Sequence, residues 1–146
     1  MYDLPRKLTT DELAALFGEA RTRFVERLAE CENPLVEAPG LLRAAPEDER
    51  IEALNAHPRI GERRLSATSA REQGIEEDPR VMDELTRLNE AYENKFGFRF
   101  LVFVNRRSRS EILDVLRERL TRSREQEMDT AIDELVAVAR DRWRRQ

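Results

Sequence analysis

Residues 78–104 read DPRVMDELTRLNEAYENKFGFRFLVFV, and this stretch decides the fold. Asp78 before Pro79 is the pattern of an N-cap with proline at the first helical position, where the missing N–H is harmless. Val81, Met82, Leu85, Leu88, Tyr92 and Phe96 then recur at three- and four-residue spacing, which is the apolar stripe of a long helix. Gly97 suits the left-handed residue that closes such a helix. Beyond it, Phe98 to Val104 is a largely aromatic and β-branched run broken by Arg99, too short for a helix to be assigned and expected to be extended and buried.

Working outward toward the N-terminus, Thr9 and Glu12 have the spacing of a capping box. Leu13, Leu16, Phe17, Ala20, Phe24, Val25 and Leu28 follow at helical spacing and predict one continuous stripe. Pro34, Pro39 and Gly40 predict turns, and Pro46 predicts the start of a short helix carrying Ile51 and Leu54. That helix is expected to stop near His57, because Pro58 drives the residue before it toward extended geometry. Arg59 to Gly74 has no sustained periodicity, although Ser69 and Glu72 can form a capping box on a short helix ended by Gly74.

Toward the C-terminus, Ser108 and Glu111 form another capping-box pair, and Ile112, Leu113, Leu116 and Leu120 mark the helix it opens. The last helix carries Met128, Ile132, Leu135, Val136, Ala139 and Trp143, with Arg140 and Arg142 beside that stripe. These patterns predict an all-α fold: a single compact multi-helix domain over residues 1–146, with one short extended non-helical segment around residues 98–104.

Composition narrows the function classes. The 146 residues are 40% hydrophobic and 38% charged with 5 Gly and 6 Pro, which excludes disordered and collagen-like chains. No apolar run approaches the ~20 residues that span a bilayer, and MYDLPRKLTTDE lacks the apolar core of a signal peptide, so no membrane partner and a cytoplasmic location are expected. A net charge of −4 argues against a general nucleic-acid binder. Residues 99–124 nevertheless hold eight arginines, read as the solvated face of a helix.

Cys31 is the single cysteine and His57 the single histidine, a pair that makes no zinc site without many carboxylates, so no metal is expected. His57 sits where a helix breaks before a proline, a place that often lines a pocket; the competing reading is an exposed or capping imidazole with no task. Glu72 and Gln73 offer an acceptor beside a mixed donor and acceptor, but the Ser69 capping box alone explains Glu72. Arg142 can clamp a carboxylate with its planar fork, or simply favour the dipole of a final helical turn. There is no Gly-x-Ser-x-Gly elbow and no phosphate-cradling glycine loop. The residues alone leave open a cofactor-poor helical enzyme and a non-catalytic helical interaction module.

Taken in order, His57-Pro58-Arg59-Ile60-Gly61-Glu62, Ser69-Ala70-Arg71-Glu72-Gln73, Leu88-Asn89-Glu90-Ala91-Tyr92 and Lys95-Phe96-Gly97-Phe98-Arg99-Phe100 resemble the OHCU decarboxylases. The resemblance continues through Glu111-Ile112-Leu113, Arg119-Leu120 and Ala131-Ile132-Asp133-Glu134 to Arg142-Trp143. It implies decarboxylation of 2-oxo-4-hydroxy-4-carboxy-5-ureidoimidazoline to (S)-allantoin in uric acid breakdown, or the same chemistry on a related ureide. It further implies an all-α fold, a small-molecule substrate, a homodimer and no cofactor. On matching positions it implies His57, Glu72 and Arg142 as catalytic residues. Pro58, Ser69 and Gln73, with Phe100, Leu101, Val102, Phe103 and Val104, are implied around the substrate.

Overall fold

The computed structural model describes residues 7–60 and 78–145. Among them are seven α-helices and no strand: α1 Thr10–Leu16, α2 Arg23–Leu28, α3 Pro34–Ala44, α4 Glu47–Leu54, α5 Pro79–Phe96, α6 Arg109–Arg119 and α7 Arg124–Arg144. The fold is all-α, as the periodicity predicts. The chain groups into two compact units, Met1–His57 with Asp129–Gln146, and Pro58–Met128.

In the first unit the Thr9 capping box is present in both directions: the Thr9 hydroxyl accepts from the Glu12 N–H at 3.2 Å, and the Glu12 carboxylate accepts from the Thr9 N–H at 3.0 Å. Leu13, Leu16, Phe17, Phe24, Val25 and Leu28 are all buried. The single helix expected over them is two, because the chain breaks at Gly18, whose φ of +125° is open to glycine and strained for other residues. A Cβ there would stand 2.9 Å from both the Cβ and the carbonyl oxygen of Ala56. Thr22 restarts the helix, its hydroxyl accepting from the Val25 N–H at 3.2 Å. Ala20, placed on the predicted stripe, lies exposed in the break.

The turns expected around Pro34, Pro39 and Gly40 are instead the helix α3. Pro34 occupies a tolerated early position, but Pro39 lies inside the helix and has no N–H to give the Leu35 carbonyl four residues back. Arg140 of α7 supplies what is missing, donating to that carbonyl from Nε at 3.1 Å and Nη2 at 2.8 Å. α4 follows Pro46 and ends at Leu54 with Asn55 as its C-cap, just ahead of His57, as expected. Ala131, Ile132, Leu135, Val136 and Ala139 of α7 are buried, while Trp143 is half-buried.

In the second unit the Asp78 carboxylate accepts from the Arg80 N–H at 2.9 Å to open α5, and Gly97 closes it with φ +84°. Leu85, Leu88, Tyr92 and Phe96 of the predicted stripe are buried, Val81 and Met82 half-buried. Residues 99–104 are neither helix nor strand, and all of 98–104 except Arg99 and Phe103 is buried. The Tyr92 ring centre lies 4.5, 5.9 and 5.4 Å from those of Phe96, Phe98 and Phe100, so α5 and the irregular segment share one aromatic cluster. The Ser108–Glu111 capping box is present and opens α6. Along α6 Ile112, Leu113 and Leu116 are buried, but the next inward position belongs to Arg119 and not to Leu120, which is half-buried at the cap.

Candidate active site

His57 follows the end of α4, its N–H reaching back to the Leu54 carbonyl at 3.4 Å. It is only 5% exposed, which removes the reading of a solvent-facing imidazole. Burial disfavours the charged ring, and the positive charge of Arg142 acts in the same direction; together they pull the imidazole down to about 3 from an ordinary 6.5. His57 is therefore a neutral base at physiological pH, whereas an unperturbed imidazole titrates near neutrality.

Arg142 is 7% exposed although it lies in the last turn of α7, and its Nη1 donates to the Ala15 carbonyl of α1 at 2.8 Å. That bond holds the end of α7 against the fraying usual in a last helical turn. The first unit thus brings a neutral imidazole and a buried guanidinium into one electrostatic environment. Ser69, Glu72 and Gln73, with the proposed capping box and Gly74, lie outside the described residues.

In the second unit Pro58 is half-buried. The residues after it are tied to α5: Arg59 makes a two-pronged ion pair with Glu93, Nε to Oε2 at 2.7 Å and Nη2 to Oε1 at 2.8 Å, and Asn89 Nδ2 donates to the Ile60 carbonyl at 3.2 Å.

Phe100, Leu101, Val102, Phe103 and Val104 form the irregular buried run. Without a neighbouring strand its backbone needs other partners. Arginines provide them: Arg119 Nη1 donates to the Leu101 carbonyl at 2.6 Å, Arg107 Nη2 to Phe103 at 2.7 Å, and Arg107 Nε to Val104 at 3.2 Å. Arg124 Nε caps the end of α5 on the Phe96 carbonyl at 2.8 Å. The arginine-rich stretch is thus only partly the solvated face expected. Arg106 and Arg117 are exposed, but Arg107, Arg119 and Arg124 grip backbone.

One group escaped the sequence reading. Glu127 Oε1 accepts from Arg119 Nε at 2.7 Å and from the Tyr92 hydroxyl at 2.6 Å, with both ends of the ion pair at 5% exposure or less. Arg122 adds an ion pair to Oε2 at 3.2 Å. Burial and the hydrogen bond to Glu127 push the Tyr92 hydroxyl far above its ordinary range, so it remains a donor. The available signal was Arg119 standing at i+7 from Ile112 and i+3 from Leu116, a charge on an apolar stripe.

Among the described residues no three His, Cys, Asp or Glu side chains are grouped to hold a metal ion, and no helix is long and apolar enough to cross a membrane.

Comparison with known proteins gives this arrangement its context. The chain is 32% identical over 108 residues to the uric acid degradation bifunctional protein PucL of Bacillus subtilis, covering 70% of this chain and 22% of that longer protein. It is 31% identical over 120 residues to a 2-oxo-4-hydroxy-4-carboxy-5-ureidoimidazoline decarboxylase of Halalkalicoccus jeotgali, covering 74% of this chain and 68% of its relative. A crystal structure of OHCU decarboxylase in the presence of (S)-allantoin superposes with a TM-score of 0.74 at 22% identity, over 90% of this chain and 94% of the other, a likeness of fold. The sequence profile of the family described as OHCU decarboxylase matches residues 7–144, nearly the whole length, and the chain belongs to the OHCU decarboxylase family.

Proposed function

We infer that this chain is a carboxy-lyase that converts 2-oxo-4-hydroxy-4-carboxy-5-ureidoimidazoline to (S)-allantoin in uric acid degradation. The observation that carries the reading is the sole histidine, buried and kept neutral near the buried guanidinium of Arg142. The substrate's C4 bears hydroxyl and carboxylate beside a C5=N imine. When the C4–carboxylate bond breaks, its electron pair forms C4=C5 and the imine pair moves to nitrogen, which takes a proton. The hydroxyl proton then leaves to form the C4 carbonyl, and C5 gains a proton on one face. One proton is consumed, and the substrate itself accepts the electrons.

The protein's task is positioning, charge stabilisation and proton placement. Neutral His57 accepts a hydrogen bond from the C4 hydroxyl and takes its proton as carbonyl forms. Arg142 meets the carboxylate, and that anion offsets the positive charge acting on His57, making the imidazole more basic in the complex than in the free protein. Glu72 holds the ring N–H groups, Gln73 and Ser69 match the ureido donors and acceptors, and Pro58 and the Phe100–Val104 backbone complete the contacts. The working form is a cytoplasmic homodimer, each chain one catalytic domain; the resemblance supports this assignment. Substrate made freshly from urate by urate oxidase and hydroxyisourate hydrolase tests the reading: allantoin must form faster than in the spontaneous background, as one enantiomer. Formation at the background rate would contradict it and favour a non-catalytic module.

A further inference from the structure

We propose that Arg119, aligned by Glu127 and Tyr92, is a positioning residue that sets the Phe100–Val104 backbone for substrate recognition. This rests on the reading above, in which that backbone touches substrate. The geometry is specific. One guanidinium gives Nη1 to the Leu101 carbonyl at 2.6 Å, gives Nε to Glu127 at 2.7 Å, and lies with its carbon 4.8 Å from the Phe100 ring centre. It therefore fixes the first side chain of the run and the carbonyl of the next residue together. Glu127 is itself held by the Tyr92 hydroxyl at 2.6 Å, and the Tyr92 ring packs on Phe100 at 5.4 Å, so the loop of contacts closes on the same segment.

Stability alone does not account for such an arrangement. A buried ion pair carries a desolvation cost that an apolar pair of similar volume avoids. Nη2 of Arg119 is also buried and meets no acceptor among the described residues, which is a further cost. What the planar fork provides is direction. It points the carbonyl of Leu101 in one sense, and through the intervening peptide planes it limits how the flanking N–H and carbonyl groups of an irregular run can face. A ureide, whose N–H and C=O groups alternate around a small ring, is recognised by backbone groups held in that way.

The test compares the wild type with Arg119→Lys, Glu127→Gln, Tyr92→Phe and the apolar pair Arg119→Met/Glu127→Leu, with exposed Arg117→Met as control. Each is measured for kcat and KM on freshly made substrate, for (S)-allantoin binding by calorimetry, and for thermal midpoint. Arg119→Lys and the apolar pair are expected to raise KM and weaken allantoin binding ~10-fold, the worth of about one hydrogen bond, with kcat changed far less. Tyr92→Phe and Glu127→Gln should follow in the same direction and more weakly, and they keep the shape of the core if the apolar pair fails to fold. Unchanged KM and allantoin binding in folded variants, with only the thermal midpoint lowered, would overturn the proposal and leave the decarboxylase reading standing. A wild type no faster than the background would overturn both.

Discussion

Arg142, on the last helix, presses on the protonation of His57, which follows α4: its positive charge adds to burial in holding the imidazole down to about 3. Both side chains belong to the unit built from Met1–His57 and Asp129–Gln146, and the Arg142 Nη1 bond to the Ala15 carbonyl fixes where that charge stands. A base held neutral and a cation held in place form a pair whose balance a bound carboxylate shifts.

Stability should therefore fall with acid in a defined window. An unfolded imidazole titrates near 6.5 and the folded one near 3, so between these values the unfolded chain binds a proton that the folded chain does not. Folding free energy should be level above pH 7 and drop by about 2 kcal/mol between pH 7 and pH 5 from this group alone. Urea denaturation across that range checks it, with His57→Asn expected to flatten that part of the slope. An unchanged slope would contradict the burial assignment.

Arg142→Lys keeps the charge and loses the planar fork, so kcat/KM should fall ~10-fold or more, whereas Arg145→Ala should behave as wild type. Arg145 is exposed and paired with Asp141 one turn back. Steady-state kinetics on the two variants separates the roles, and equal activities would make Arg142 a structural anchor only.

Gly18→Ala should destabilise by about 1–3 kcal/mol, since it places a Cβ 2.9 Å from Ala56 in a backbone conformation that alanine resists. Because Ala56 immediately precedes His57, kcat should fall as well. Chemical denaturation with kinetics below the transition checks both, and a variant of wild-type stability would refute the close approach.

Pro39 and Arg140 should be coupled. Arg140→Met removes the donors that serve the Leu35 carbonyl and should cost about 1–3 kcal/mol. In a Pro39→Ala background the restored N–H can serve that carbonyl, and the same substitution should cost clearly less. A double-mutant cycle by denaturation decides it, additivity being the contrary result.

These elements show what the sequence made legible. Capping pairs such as Thr9–Glu12 and Ser108–Glu111, and the Asp78 and Gly97 ends of α5, are local chemistry and were readable as such. The break at Gly18 was hidden because the apolar spacing from Leu13 to Leu28 persists across it. Pro39 looked like a turn because the residue that tolerates it inside a helix, Arg140, lies far away in sequence. Arg119 falls within the arginine-rich stretch whose composition reads as a solvated face, since composition does not say whether an arginine faces water or a carbonyl, and no local pattern marks Glu127 as its buried partner. For the site, His57 and Arg142 were readable as candidates, but their burial and mutual electrostatics depend on packing that no local pattern encodes. The roles of Ser69, Glu72 and Gln73 rest on the resemblance.

Transfer of the C4 hydroxyl proton to neutral His57 as the carbonyl forms, once the carboxylate has left, is the step on which the proposed mechanism rests. Its most direct test is decarboxylation of freshly made substrate by wild type and His57→Asn under single-turnover conditions, with folding of both verified by circular dichroism. The asparagine variant is expected to remain folded and to lose ~10²–10⁴-fold in rate, the usual worth of one acid–base group. A folded His57→Asn protein that forms (S)-allantoin at the wild-type rate would contradict it.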